Sequence, residues 1–370
     1  MRIAYANTYF QSNHTGGGHV HMGQFVANAT SLGHEIWAYP GNEYPGAHMI
    51  PLAHLKHIQT MRKMDVFYVR LEHKPPSICS WALPPRRTLY GFPIVVWEFN
   101  TTPDEGLMRG EPEEDVQQAI NTLTYYGRGC DLAVCMTKSL GEYVQEKLGL
   151  RRVLIVPNGS DPGLFRPDAP IVKRMEVFKD KFNIVWIGSA KIVYHDFEML
   201  RTAAQLVWDQ GEGDRINFHI IGPGLVAAMA DMPANVYYWG ADTYENLPHW
   251  LAAMDVGLYL TRGGPTYHST PLKLFDYLAS GLTVVSTSQP FFIRDLFDRL
   301  GQNDLLIPQG DATYLANALI RLASEKERVK RLGQAGRQLV IDKYNWRQSV
   351  QDTMDELESM LLERKKEARK

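Results

Sequence analysis

Short apolar runs rich in β-formers alternate with stretches of helical periodicity along the whole chain, the pattern of parallel strands covered by helices on both faces. The first half predicts strands at 2–7, 35–39, 66–70, 94–100, 132–137 and 153–157. The second half predicts them at 183–189, 216–222, 236–240, 256–261, 282–288 and 304–308. Two sets of six, each opening with a fresh strand and a glycine turn, imply two doubly wound α/β domains rather than one large sheet. Between the sets, residues 157–170 are rich in Pro and Gly and read as a linker. Past Trp346, the apolar stripe Val350, Met354, Leu357 and Leu361 marks a final helix, expected to cross back to the first domain. The expected division is therefore 1–165 plus 346–370 against 166–345.

Composition narrows the class without changing this picture. A length of 370 residues suits two domains, and 45% hydrophobic, 22% charged and 11% aromatic residues exclude long disorder and fibrous repeats. With 39 Lys+Arg against 41 Asp+Glu the chain lacks the positive charge of a nucleic-acid binder. Cys79, Cys130 and Cys135 are odd in number and have no CxxC spacing, as expected of reduced thiols in a cytosolic protein. No apolar run reaches about 18 residues, and Met1-Arg2-Ile3-Ala4-Tyr5 starts a strand rather than a signal peptide, so a soluble cytoplasmic protein is expected.

Three stretches carry candidate chemistry. Gly16-Gly17-Gly18-His19 leads into a helix that ends at Gly33-His34. Glycine amides at a helix N-terminus approach a phosphate or sugar closely, and the helix dipole favours an anion there; a tight strand-to-helix turn is the plain alternative. Gly222-Pro223-Gly224-Leu225-Val226-Ala227 matches GxGxxA, with Asp242 twenty residues beyond the first glycine. It follows the second strand of its domain, however, and only a short segment separates it from the next strand. The most informative stretch is 268–281, where His268, Ser269, Thr270 and Pro271 precede Leu272, Lys273, Leu274 and Asp276, and Gly281 closes the helix. Thr270 is expected to cap that helix and Pro271 to sit in its first turn. Free amides beside Lys273 suit an anion, and Asp276 is placed to hold a diol.

Taken in order, the pieces resemble the retaining glycosyltransferase family 4. They are the opening strand with Gly16-Gly17 and Gly33-His34-Glu35, Val156-Pro157-Asn158-Gly159-Ser160-Asp161 with Phe165 and Pro167, Ile187-Gly188, Ile221-Gly222-Pro223-Gly224, Asp255-Val256, the 271–281 helix, 307–311 and Tyr344-Asn345-Trp346. The resemblance covers nearly the whole chain. It implies the GT-B fold, two Rossmann-like domains facing a central cleft, with the first on the acceptor side and the second binding the nucleotide-sugar donor. It further implies that Gly16, Gly17, Gly18 and His19 approach the donor from the first domain, with Gly188, Ser189, Lys191, Gly222 and Gly224 lining the donor site of the second. Leu272, Lys273 and Leu274 would lie against the phosphates, and Asp276 would hold the ribose at the second acidic position of a Glu-x7-Glu motif.

This chain departs from the family at several positions. His268 stands at the first glutamate position, and the family's phosphate-binding Arg and Lys fall on Ser189 and His195, leaving Lys191, Arg262 or Lys273 as substitutes. Glu98 and Asn100 end the strand where the family often presents a histidine to the reacting sugar.

The implied activity is hexose transfer with retention, first from UDP-glucose, to a saccharide or lipid-linked acceptor in polysaccharide or glycolipid assembly. The nucleotide sugar would be a co-substrate, with no other cofactor. A loosening glycosidic bond needs positioning and stabilisation of the departing negative charge. No Asp-x-Asp pair occurs, so a metal-independent reaction is expected. The basic residues Lys56, Lys63, Arg86 and Arg87 and the tail from Arg364 suggest a weak membrane-surface association, while Glu363 and Glu367 favour a merely solvated helix end. Two rivals stay open: a nicotinamide-dependent oxidoreductase using 222–227, and a non-catalytic sugar-nucleotide binder of the same fold.

Overall fold

The computed structural model describes residues 1–7, 17–39, 44–84, 86–92, 94–189, 192, 194–229, 231–262, 268, 270–288 and 292–369. Gly16 and Lys191, named above as donor contacts, lie outside them, as does Ser269, which with His268 and Thr270 is likewise expected at the donor site. The chain forms two compact units, Met1–Asn158 with Thr266–Thr270 and Trp346–Lys370, and Gly159–Pro265 with Pro271–Asn345.

The first unit is built on a parallel sheet of β1 (Arg2–Asn7), β2 (Glu35–Ala38), β3 (His48–Met49), β4 (Val66–Leu71), β5 (Ile94–Phe99), β6 (Leu132–Cys135) and β7 (Val153–Ile155). Its order is β3-β2-β1-β4-β5-β6-β7. Seven strands stand where six were expected, because β3 is only two residues long and exposed, too short to print an apolar pattern. The period of two assigns the two faces. Ile3, Tyr5, Tyr68 and Val96 pack with Phe25 and Val26 of the helix Gly17–Ser31 and with Val350, Met354 and Leu357 of the helix Trp346–Glu367. Ala4, Phe67, Val95 and Trp97 face the opposite way, towards Leu140 and Val144 of the helix Lys138–Leu148. The terminal helix thus completes the core of the first unit.

The second unit carries β8 (Phe182–Ile187), β9 (Ile216–Ile221), β10 (Val236–Tyr238), β11 (Val256–Tyr259), β12 (Thr283–Thr287) and β13 (Leu306–Ile307). Its parallel order is β10-β9-β8-β11-β12-β13. In open sheets of this kind ligands bind outside the carboxyl ends of the strands where the order reverses, here between β8 and β11, and in the first unit between β1 and β4.

The Pro/Gly-rich stretch is not a free linker. The change of unit comes after Asn158 rather than Phe165, because the following residues are tied into the second unit. The Ser160 amide donates to the Tyr344 carbonyl at 2.9 Å, and Asp161 Oδ1 accepts from the Gly163 and Leu164 amides at 2.8 and 3.2 Å. Phe165 is fully buried, and Arg337 donates to the carbonyls of Phe165 and Pro162. Backbone polar groups that find partners fix a turn-rich segment as firmly as a helix.

Leu357 is fully buried in the first unit's core. Leu357→Ala is expected to cost about 2–5 kcal/mol of that unit's stability, read from urea denaturation. A loss below about 1 kcal/mol would mean that the terminal helix is not part of the cooperative core.

Candidate functional site

The switch point of the second sheet is organised by the helix Leu272–Ala279, which follows β11. Lys273 Nζ donates to the Ile187 carbonyl at 2.6 Å and to His195 Nε2 at 3.0 Å. Tyr277, one turn further on, accepts from the Ile187 amide at 2.8 Å. The last residue of β8 is therefore held at both its amide and its carbonyl by a single helix. His195 Nδ1 faces the Ser189 carbonyl at 3.2 Å, an acceptor only, so the ring's proton sits on Nδ1 and Nε2 accepts from the lysine. Burial and the Lys273 charge push His195 down to about 3, and burial pushes Lys273 down to about 7. The rings of Trp186 and Tyr259 lie 5.1 and 5.7 Å from the ammonium and favour its charge.

Gly188 and Gly222 meet in the same place. Gly222 has φ +144°, and a Cβ there would stand 1.6 Å from the Gly188 carbonyl oxygen. The need for glycine at 222 is thus explained by two loops packing backbone to backbone. Gly222–Ala227 follow β9, one strand away from the reversal, so the dinucleotide reading of GxGxxA loses its structural context. Gly224, at φ +78°, continues that turn. Arg262, one of the substitutes for the missing basic pair, is tied to Asp196 at 2.9 Å. Asp196 also caps the helix Phe197–Asp209 by accepting from the Met199 amide.

Asp276 is buried on the second unit's helix, where Oδ1 accepts from Ser160 at 2.6 Å and Tyr244 at 3.2 Å. Burial raises its pKa to about 7 against the lowering effect of those two bonds. Leu274 is fully buried in the core and presents only its backbone, while Leu272 keeps partial exposure. Thr270 does not cap the helix. The cap position falls on Pro271, which has no side-chain oxygen, and Thr270 lies one residue too early, its hydroxyl 3.9 Å from Met136 Sδ. The first turn of this helix is left without a side-chain cap.

His268 and Thr270 belong to the first unit. His268 Nδ1 is 3.0 Å from the Ser139 hydroxyl, and its carbonyl accepts from Thr137, which also caps the helix Lys138–Leu148. The Thr270 carbonyl accepts from Asn158 at 2.8 Å. In the same unit Gly17 and Gly18 open the helix Gly17–Ser31, and His19 Nδ1 is 3.4 Å from the Tyr44 hydroxyl. Glu98 is 3% exposed and both its oxygens are engaged: Oε1 by Arg70 Nε at 3.1 Å and His21 Nε2 at 3.4 Å, Oε2 by Tyr68 at 2.8 Å. Asn100 donates to the Leu71 carbonyl at 3.4 Å and reaches Glu98 Oε1 at 3.5 Å.

The structure thus gathers Gly188, Ser189, His195, Lys273 and Gly222 at one switch point, with Asp276 a turn away on the same helix. It groups Gly18, Glu98 and Asn100 around Arg70 in the other unit. Ser160, Tyr244, Tyr277 and Arg70 are the participants that sequence reasoning missed. Ser160 stood inside a quoted motif, whereas the two tyrosines had no local signal. Among the described residues no group of three or more His, Cys, Asp or Glu is placed to hold a metal ion, and no helix is long and apolar enough to cross a membrane.

Two parallel-sheet Rossmann-like domains in this order define the GT-B fold. Residues 181–325, which hold this switch point, match the family model described as Glycosyl transferases group 1. TuaH of Bacillus subtilis, named for teichuronic acid biosynthesis, is 29% identical over 43% of this chain and 41% of its own. LpsE of Rhizobium meliloti, a lipopolysaccharide core biosynthesis glycosyltransferase, is 25% identical over 61% of this chain and 64% of its own. The chain thus spans less than two thirds of the length of either relative. HepE of Anabaena, solved in complex with UDP-glucose, superposes with a TM-score of 0.71 at 13% identity, covering 97% of this chain and all of that one. At that identity the likeness is one of fold.

The raised pKa of Asp276 makes stability depend on pH. Its folded value of about 7 exceeds the ordinary 3.8, so the protonated carboxyl's contribution is complete below pH 4 and is lost as pH rises through 7. The melting temperature of Asp276→Asn relative to wild type is therefore expected to climb between pH 5 and pH 8 in differential scanning fluorimetry. A constant difference would show that Asp276 is not a charge buried at a cost.

Proposed function

We propose that the protein is a retaining glycosyltransferase that moves a hexose from a nucleoside-diphosphate sugar, first UDP-glucose, to a saccharide or lipid-linked acceptor in polysaccharide assembly. The observation that carries this reading is the Lys273 ammonium beside His195 at the second switch point, within the segment that matches the group 1 family model. By the family resemblance His195 stands where a basic residue would face the diphosphate. The imidazole is neutral, and a lysine from another element brings the charge to the same spot. Helix amides without a side-chain cap add to that local potential, and a departing diphosphate needs both. Asp276 would accept from the ribose, as the family's acidic position implies, with Ser160 and Tyr244 fixing its orientation. The names of TuaH, LpsE and HepE support saccharide assembly and a UDP-sugar donor.

The first test is a thermal-shift panel of UDP, GDP and ADP with their sugars, since selective binding stabilises the fold by mass action. Stabilisation by UDP and UDP-glucose is expected, and no response to any nucleotide would sink the reading. The anomeric proton of the transferred or hydrolysed sugar in NMR decides retention, and full turnover in chelator decides metal independence.

The two titrating groups predict a pH profile for UDP binding. Asp276 loses its charge below about 7 and Lys273 loses its charge above about 7. UDP affinity measured by calorimetry should peak near neutrality. Asp276→Asn should weaken binding by about 1.5–3 kcal/mol and flatten the acid limb, and Lys273→Met should flatten the alkaline limb. A profile unchanged in both variants would remove these residues from the donor site.

A further inference from the structure

β3 forms the outer edge of the first unit's sheet, and the chain runs from it through residues 50–53 into the helix His54–Met61. Met49, Leu52 and Leu55, spaced three residues apart, are 54, 68 and 74% exposed. Single exposed apolar residues are ordinary, but three at successive i, i+3 steps make a feature. The helix is anchored by its other side. Met61 is fully buried, Ile58 packs on the core, and the His57 ring lies 3.2 Å from the Tyr39 hydroxyl and edge-on to the rings of Trp81 and Tyr90. With those positions inside, the period of 3.6 turns Leu55, Lys56, Gln59, Arg62 and Lys63 outwards, and all five are exposed.

The charge around these residues has one sign. No Asp or Glu occurs from Tyr44 to Met64 or from His73 to Trp97. Among the described residues Lys56, Lys63 and Arg86 are exposed and enter no ion pair. Arg62 Nε donates to the Leu89 carbonyl at 2.9 Å, which ties the end of this helix to the helix Arg86–Tyr90, where Leu89 is also exposed. The Arg86 guanidinium lies 5.6 Å from the centre of the Trp81 ring. The two short helices thus share one face. The other basic residues singled out in the sequence are spent within the fold: Arg87 on Asp131 and the Gly129 carbonyl, and Arg364 of the tail on Asp131 as well.

Exposed apolar side chains set among unpaired lysines fit one occupant. The core of a protein interface is depleted in lysine. A second copy of this chain would bring two positive faces together. At the boundary of an anionic bilayer the leucines enter the acyl region, while the stems of lysine and arginine lie along it and their charges reach the phosphates. We propose that the face made by Met49, Leu52, Leu55, Lys56, Lys63 and Arg86 docks the first unit on the surface of a membrane rich in anionic lipid, lying on it rather than spanning it. The docking follows from this face alone and does not need the transferase reading. Under that reading it holds the first unit where a lipid-linked acceptor is found.

Co-sedimentation of the full chain with vesicles of phosphatidylcholine alone, and of equal parts phosphatidylcholine and phosphatidylglycerol, tests the proposal beside calorimetric titration of UDP. Wild type should pellet with the mixed vesicles and not with phosphatidylcholine alone, and high salt should weaken the binding. Leu52→Ser with Leu55→Ser, and separately Lys56→Gln with Lys63→Gln, should each weaken it by about ten-fold or more, with melting temperature and UDP affinity unchanged. Lys179→Gln with Lys330→Gln makes the same charge change on exposed residues of the second unit and should leave vesicle binding as it was. No pelleting of wild type with mixed vesicles, equal pelleting with both kinds, a leucine variant that binds like wild type, or equal losses in the two lysine pairs would each overturn the docking. So would a lipid-free dimer in sedimentation velocity that Leu55→Ser dissolves, which gives the face to a second copy. If the leucine variant fails to fold, the lysine pairs decide. The expected vesicle pattern without any UDP binding would support the docking and strike the transferase reading instead.

Discussion

A buried ammonium must find acceptors, and the way Lys273 finds them fixes the geometry of the second unit's switch point. Its two bonds reach the carbonyl of Ile187 and the imidazole of His195. Tyr277 of the same helix takes the Ile187 amide, so the end of β8 cannot move without the helix. The Gly188 turn follows directly, and its carbonyl is approached so closely by residue 222 that only glycine fits there. His195 then closes the loop onto Ser189. Strand end, two glycine turns and helix N-terminus are one mechanical piece, anchored by a charge that burial makes easy to lose. A site built this way is preorganised before any ligand arrives, which is what stabilising a developing charge requires.

Much of this was legible in the sequence, and what was not has definite physical reasons. Apolar runs of five to seven residues located β1, β2 and β4 to β13, most plainly inner strands such as β4 and β5, which are buried on both faces and write an unbroken apolar signal. β3 wrote none, being two exposed residues held by the edge of β2. The Pro/Gly-rich stretch after Pro157 looked like a linker on composition, yet its order comes from Tyr344 and Arg337, far along the chain. Thr270 looked like a cap because Thr before Pro is a common helix start. The helix begins one residue later than that pattern supposes, and helix boundaries are the least secure part of any such reading.

The site shows the same division between near and far. Lys273 and Asp276 could be picked from their spacing along one helix. Their partners could not, since Ile187, Ser160 and Tyr244 are brought by strand order and loop packing rather than by any local pattern. Glu98 is the instructive case. Its place at the end of β5 suggested contact with a substrate, but Arg70, His21 and Tyr68 consume both its oxygens. Arg70, which holds Glu98 in place, was marked by neither motif nor composition, since a lone arginine in an apolar run reads as an exception rather than a signal.

A net charge of −2 over the whole chain means that any potential felt by a ligand is set locally, and the two switch points set it in opposite senses. In the second unit a lysine is paired with a neutral histidine, and the nearby Arg262 and Asp196 cancel. The sum around His195 is positive while Lys273 is protonated, with Asp276 a turn further along the helix. In the first unit one arginine faces two glutamates, with a neutral histidine beside them, and the sum is negative. Two sheets of the same topology thus carry crevices of opposite sign. A positive strand end beside a helix start without a side-chain cap favours an anion, and a negative one disfavours it. The repeated architecture therefore supplies two scaffolds of like shape, and the charge on each is decided by a handful of side chains at the strand ends.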